Sequence, residues 1–326
     1  MQIKQYQLLP ESKIDFTSLP LSFQLLDHLG GFDIHNRNAV LDSINNYALA
    51  QNKHYDIYYH NVLPKAVRDN YSNLNLQFSS EYQNTLNFLH FDNIKLPNKE
   101  KDFKNFVCSF NGSEHISRQL LTSALHKFGW FTPEYNTKNF STYKDRIDGN
   151  IIECFESSID ERFYRKFILA DGAAADEFYN NIYSIEYTRY NHKRNIKILL
   201  DKINQSFIQI VSETMATSNV PFVTEKFLYP VVGKSLYLGY SQPGWHKHIS
   251  DVYGFKLYTT IFNYEFDTIT NPVIRLVELL GMLSKFGHLT PADWHDLYLL
   301  EKDTIDYNYD WYMSKQYLAQ LEKFDG

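Results

Sequence analysis

Residues Phe222–Gly239, FVTEKFLYPVVGKSLYLG, decide the fold class. Thr224 is a good N-cap residue, because its hydroxyl can accept from a backbone N–H at the start of a helix. The pattern predicts a short strand or loop, a helix from that cap to Val232, a left-handed stop at Gly233 and a buried strand Ser235–Leu238. Pro230 has no N–H to give and should kink or shorten the helix. A helix that starts between two apolar strands is a place to hold an anion, since its free N–H groups and its dipole both favour negative charge. Lys226 would add a point charge there, and Glu225 an acceptor for a ribose hydroxyl. An acidic first turn also occurs simply to satisfy the dipole, so the flanking order carries the reading.

Downstream, Pro243-Gly244 leads into a short helix near Trp245–Tyr253. Gly254-Phe255, an aromatic strand Lys256–Phe262 and the acidic Glu265-Phe266-Asp267 come next. The helix Asn271–Phe286 is apolar at Val273, Leu276, Leu279, Leu280 and Leu283 and starts well at Asn271-Pro272. Upstream, Phe106–Phe110 reads as a buried strand, Asn111-Gly112-Ser113 as a turn, and His115–Phe128 as a helix closed by Gly129. Strand, glycine turn and helix open a mononucleotide-binding unit, although the full glycine fingerprint is absent. Ser206–Val211 is a strand, followed by Ser212-Glu213-Thr214.

This order resembles the nucleotide-sugar-binding half of family 10 fucosyltransferases and their bacterial and phage-encoded relatives. Those carry a strand, then (Tyr/Phe)-x-Thr-Glu-Lys, a helix, a small-residue turn and an apolar strand ending in Gly. Phe222-Val223-Thr224-Glu225-Lys226 matches that signature residue for residue. In the family the preceding strand ends in Phe-Glu-Asn. Glu213 matches the acid, whereas Ser212 and Thr214 replace the aromatic and the Asn, a departure at the contacts to base or sugar. The family's helix carries an Arg that reaches the donor diphosphate, and Arg118 stands in that place; by residue type alone the commoner reading is a solvated helical Arg. The likeness covers roughly 106–286, is close at 222–239, and says little about 1–100.

The resemblance implies an α/β fold with two Rossmann-like domains facing a cleft, the GT-B type. Residues 1–100 would form an acceptor-side domain, 105–290 the nucleotide-sugar-binding domain, and 291–326 a helical tail crossing back to the first. It implies a transferase that moves a sugar from a nucleotide-diphosphate sugar to an acceptor hydroxyl, with inversion and without a metal. The donor would be held by Arg118, Glu213, Thr224, Glu225 and Lys226. No cofactor is implied beyond the donor itself. The family takes its general base from the N-terminal domain, where His60, Asp33, His35 and Asp56 are candidates by type alone. The acceptor is a glycan or a modified DNA base, since relatives of this kind occur in phages that decorate their DNA. The alternative is a non-catalytic nucleotide- or glycan-binding protein of the same fold. A structural virion or scaffold protein finds no coiled coil or repeat in its favour.

Composition sets outer limits. The 326 residues suit one large or two medium domains, and 44% hydrophobic residues call for a packed core. A net charge of −6 argues against a protein that coats duplex DNA through a basic face, though not against a local basic groove. Arg189–Lys202 is the one basic run; it reads as a phosphate-greeting patch or as the solvated face of a helix. Cys108 and Cys154 lack metal or redox spacing and are expected to be reduced and structural. No apolar run has the length of a signal or of a membrane span, so a cytoplasmic protein is expected, in the host cytoplasm if the source is viral. His246-Lys247-His248 and Asp293, His295 and Asp296 tempt a metal reading, but a zinc site wants three or four convergent ligands and none is expected here. There is no Asp-x-Asp, and Lys226 and Arg118 would neutralise the diphosphate instead.

In the amino-terminal part, Leu19–Leu29 is expected to be a helix closed by Gly30-Gly31, Ala39–Gln51 a helix, His54–His60 a strand and Pro64–Tyr71 a short helix. Asn84–Phe91 is a segment of open type, and Asn93–Asn105, Lys-rich with Pro97, a linker. Thr132–Asp148 reads as a loop, Asn150–Phe155 as a strand, and Ser157–Asn181 as an insertion able to lie over the cleft as a lid.

Overall fold

The computed structural model describes residues 5–7, 16, 19–26, 35, 37–59, 62–79, 100–154, 161–184, 192–213, 216 and 218–323. The chain is α/β, with two all-parallel sheets of four strands each. In the first sheet β1 (Gln5–Gln7), β2 (Ser22–Leu26), β3 (Tyr55–Tyr59) and β4 (Leu74–Phe78) lie side by side in chain order. Helix α1 (Ala39–Ala50) connects β2 to β3, and the short α2 (Lys65–Arg68) connects β3 to β4. The α1 cap obeys the sequence logic: Asn38 is extended and its side chain accepts from the Leu41 N–H. Val40, Leu41, Ile44 and Ala48 of α1 pack with Phe23, Leu25, Ile57 and Leu76 into the first core.

Of the helix expected at Leu19–Leu29, residues 19–26 are described, and they are not helical. Their apolar run forms β2, whose Phe23 and Leu25 pair with Ile57 and Tyr59 of β3. A short continuous apolar run suits a buried parallel strand as well as a helix, and length favours the strand. Asn84–Phe91 lies outside the described residues, and the linker is described only from Glu100. There its end is stitched down: Lys101 Nζ donates to the Gly233 carbonyl at 2.8 Å and to the Ser235 hydroxyl, and Phe103 packs edge-on against Phe207.

The second sheet has the order β6-β5-β7-β8. Its strands are β5 (Asn105–Asn111), β6 (Asn136–Lys138), β7 (Ser206–Ser212) and β8 (Leu236–Tyr240). Every residue of β7 and β8 is buried, as expected for a parallel sheet covered on both faces. The covering helices are α3 (Ile116–Lys127), α4 (Lys144–Cys154), α5 (Glu161–Phe167), α6 (Ala173–Asn180), α7 (His192–Asn204), α8 (Leu228–Val232), α9 (Trp245–Asp251) and α10 (Pro272–Leu283). Cys108 sits in β5 at 0% exposure, and burial pushes its thiol up to about 12, so it is an inert core residue.

The structure corrects several expectations in this unit. Thr132–Asp148 is not all loop, since it holds β6 and the first turn of α4, and Asn150–Phe155 continues that helix to Cys154. Of Ser157–Asn181, the described residues from Glu161 on form α5 and α6, and Ile168, Leu169, Ala175 and Phe178 join the second core, so this part walls the core and is no lid. Gly233 has φ −74 rather than a left-handed value; Lys234 takes the positive φ of 47. The glycine is required for closeness, because a Cβ there would stand 3.0 Å from Ile203 Cγ2 and 3.2 Å from the Tyr229 carbonyl. Lys256–Phe262 is irregular and not a strand. Side chains satisfy its backbone: the Lys256 N–H donates to Asn308 Oδ1 at 2.8 Å, the Thr260 N–H to Glu301 Oε1 at 2.7 Å, and Asn308 Nδ2 donates to the Lys256 carbonyl at 2.9 Å.

Three helices close the chain: α11 (Pro291–Leu300), α12 (Lys302–Met313) and α13 (Gln316–Glu322). The bonds described for this tail run to the second unit. Tyr298 donates to the Lys234 carbonyl at 3.2 Å, Lys234 pairs with Asp306 at 2.7 Å, and Trp311 Nε1 donates to the Tyr253 carbonyl at 2.8 Å. Among the described residues no helix is long and apolar enough to cross a membrane.

Candidate functional site

The second sheet reverses its winding between β5 and β7, because the chain passes from β5 to β6 on one side and to β7 and β8 on the other. In open α/β sheets such a point, at the carboxyl ends of the strands, is where a crevice forms. Two short segments flank it. After β5 come Gly112, Ser113 and the start of α3; after β7 comes Glu213. All five residues singled out from sequence are brought together there.

Arg118 lies in the first turn of α3 and is 3% exposed, so the solvated-Arg reading does not hold. Its guanidinium donates to the Ser113 hydroxyl. Burial lowers its pKa, while Glu213 and Glu225 pull the other way and keep the cation favourable. Glu213 is fully buried and has both carboxylate oxygens engaged. Oε1 accepts from the Thr224 N–H at 2.9 Å, and Oε2 accepts from the Thr224 hydroxyl at 2.6 Å. Burial raises its pKa, opposed by Lys226 and by the two Thr224 bonds. Glu213 is thus a buried clamp on Thr224.

Thr224 is the cap expected from sequence, extended and accepting from the Lys226 N–H at 3.3 Å. The helix begins differently, with a 3-10 turn at Glu225–Phe227 before α8. Pro230 sits in α8, which runs for only 5 residues, in line with the expected shortening. Lys226 Nζ donates to Thr224 Oγ1 at 3.0 Å and stands 3.7 Å from both Glu213 Oε2 and Glu225 Oε1. The Thr224 hydroxyl gives its one hydrogen to Glu213 and therefore receives from Lys226, which fixes the ammonium in place.

Two contributors went unread in the sequence. His115, the residue capping α3, has its pKa lowered to about 4 by burial first and by Arg118 and Lys226 next, so it is neutral near pH 7. Its position between the glycine turn and Arg118 was the available signal. Arg275 of α10, 1% exposed, donates to the carbonyls of Ala216 at 2.5 Å and Thr270 at 3.1 Å, and to that of Ile269. It ties the segment after Glu213 to the segment before α10; nothing in its sequence neighbourhood marks it.

Two of the residues that tempted a metal reading, His246 and Asp293, are otherwise employed. His246 Nε2 accepts from the Gly239 N–H at 2.8 Å, so its proton lies on Nδ1, which donates to Asp267 Oδ1 at 2.7 Å. Asp267 also accepts from the His246 N–H at 3.0 Å, holding the start of α9. Asp293 closes a capping box with Thr290 at the start of α11. Among the described residues no group of three or more His, Cys, Asp and Glu is placed to hold a metal ion. Of the base candidates, His60 and Asp33 lie outside the described residues. His35 is exposed, and Asp56, near the amino end of β3, accepts from Asn75 Nδ2 at 2.9 Å. In the basic run, 189–191 lie outside the described residues, α7 carries the rest, and Lys202 Nζ sits 4.9 Å from the Tyr135 ring centre.

No family model, no curated protein and no solved structure matches this chain.

Proposed function

We propose that the chain is a glycosyltransferase of the two-Rossmann type that binds a nucleotide-diphosphate sugar at the β5–β7 switch point. The observation that carries this reading is the convergence of Arg118, Glu213, Thr224, Glu225 and Lys226 at the carboxyl ends of β5 and β7. Two cations and two carboxylates balance there without a ligand. A diphosphate competes with Glu225 for Lys226 and draws on Arg118, and the released Glu225 carboxylate accepts from a ribose hydroxyl. Glu213 holds Thr224 and Lys226 in position throughout. In the transfer an acceptor hydroxyl oxygen bonds to the anomeric carbon while the carbon–oxygen bond to the diphosphate breaks. The electron pair leaves with the nucleotide, where Arg118 and Lys226 offset the charge, and the hydroxyl proton passes to a base on the acceptor side. The acceptor is a glycan or a modified DNA base.

The test is a thermal-shift screen against UDP-, GDP-, CMP- and dTDP-linked sugars. A ligand that binds only the folded state at 100 times its Kd adds about 2.7 kcal/mol, a shift of several degrees. One nucleotide class should shift the melting temperature, and Lys226→Ala should abolish that shift. No shift with any donor sinks the reading. A shift without release of nucleoside diphosphate in the presence of acceptor extracts favours the non-catalytic binding protein.

A further inference from the structure

His115 holds a capping position without capping. Its backbone is fixed on both sides: the N–H donates to the Ser113 carbonyl at 3.0 Å, and its own carbonyl accepts from the Arg118 and Gln119 N–H groups at 2.9 and 3.0 Å. The residue at such a position usually serves the first turn through a side-chain oxygen, as Asn38 and Thr224 do in this chain. His115 has no such oxygen, and its ring makes no cap bond. Among the described residues no hydrogen bond engages the ring at all. It is half-buried, so part of its surface stays open to solvent.

Two cations act on this ring, Arg118 from α3 and Lys226 from the 3-10 turn. The carboxylates of Glu213 and Glu225 stand against those cations, and Glu114, the preceding residue, is paired with Arg146 of α4. Burial and the two cations together hold the imidazole uncharged. An uncharged ring still has one N–H to give and one nitrogen to accept with. An oxyanion is the partner that suits such a ring between two cations. It accepts the N–H, and by offsetting both cations it removes most of what opposes protonation. The protonated ring then donates a charge-assisted bond, which is the stronger kind.

We propose that His115 is a third contact for the oxyanion held by Arg118 and Lys226, and that its ring takes up a solvent proton as that oxyanion binds. That the oxyanion is the diphosphate of a sugar donor rests on the reading above; the contact itself rests on the cluster. The free chain leaves the ring unprotonated between its lowered value of about 4 and the ordinary 6.5, whereas the bound chain holds a proton there, so binding tightens as pH falls through that window.

The test follows the imidazole of His115 by NMR in the full chain, its resonance assigned by its loss in His115→Gln. The probe is sodium sulfate, which stays doubly charged over this range and brings no proton of its own, set against sodium chloride at equal ionic strength. In chloride the ring should stay uncharged at about pH 5, and saturating sulfate should move its midpoint up by about two units, to near 6. By calorimetry sulfate should then bind about fourfold more tightly at pH 5.5 than at pH 7.5, and His115→Gln should flatten that ratio while keeping most of the affinity at pH 7.5. A midpoint that sulfate leaves in place overturns the proposal. So does a pH dependence that survives His115→Gln, or a loss of equal size at both pH values, which makes the ring structural only. A His115 that answers to sulfate in a chain that binds no nucleotide sugar upholds the oxyanion contact and sinks the donor reading.

Discussion

β3 of the first sheet buries Tyr55, Ile57 and Tyr59 but exposes Asp56, while β7 of the second buries all seven of its residues. Both are inner strands of four-stranded parallel sheets, so pairing does not explain the difference. What differs is cover. In the second sheet β7 and β8 are buried along their whole length, and Arg118, Glu213 and Glu225 converge at the carboxyl ends of β5 and β7. Among the described residues, the first sheet buries one side of β3 and β4 in its core, while the other side carries the exposed Asp56 and Asn75 and the half-buried Tyr58 and Gln77. Polar residues thus stand along one side of the strands in the first sheet and at the strand ends in the second.

The hardest test of this contrast is a charge on each sheet. Val211→Asp places an unpaired carboxylate at a site 1% exposed and should cost more than about 4 kcal/mol or prevent folding. Tyr58→Lys, on the partly open face of β3, should cost under about 1 kcal/mol in urea unfolding. Equal costs would mean the first sheet is as closed as the second.

A smaller effect probes how tightly the second sheet is filled. A Cβ on Gly239 would lie 2.4 Å from Trp245 Cε3, so Gly239→Ala should destabilise by about 1–3 kcal/mol. Paired with Trp245→Phe, the combined cost should fall below the sum of the two, because the clash partner has shrunk. Additive costs would show that the ring moves freely aside.

The smallest effect is on pH dependence. His115 and His248 have folded pKa values lowered to about 4 from 6.5. Between those values the unfolded chain binds protons that the folded chain refuses, so stability falls as pH drops through that window. His115→Gln should make the fall in melting temperature from pH 6.5 to 4 shallower. An unchanged slope would separate His115 from the charged cluster.

Strong local patterns made much of the second unit legible. Asn271 caps α10 through the Val273 and Ile274 N–H groups, and Thr224 caps the motif turn, both written in the residues themselves. Arg118 and Glu213 were candidates through the resemblance, which sets an Arg and an acid soon after these two strands. Their burial and mutual pull were not legible, since these depend on residues 95 positions apart. Leu19–Leu29 failed because an apolar run of strand length has no period to measure. Lys256–Phe262 failed for a different reason. Its aromatic, β-forming residues promised a ladder, yet Glu301 and Asn308 offer its amides and carbonyl better-placed partners from forty or more residues away.

The hold that Glu301 and Asn308 exert on Lys256–Thr260 bears on the order in which the protein is made. The first core draws on residues 23–76 and Val220, so most of it is available early in synthesis. The second core includes Ile305, Tyr312, Tyr317 and Leu321, and the Lys256 and Thr260 N–H groups of its irregular aromatic segment gain their bonds only once Asn308 and Glu301 arrive. Domains fold as they emerge, amino-terminal first. The first unit is therefore the natural early folder on the ribosome, and the second, with the charged cluster, completes only after residue 321 has left the exit tunnel.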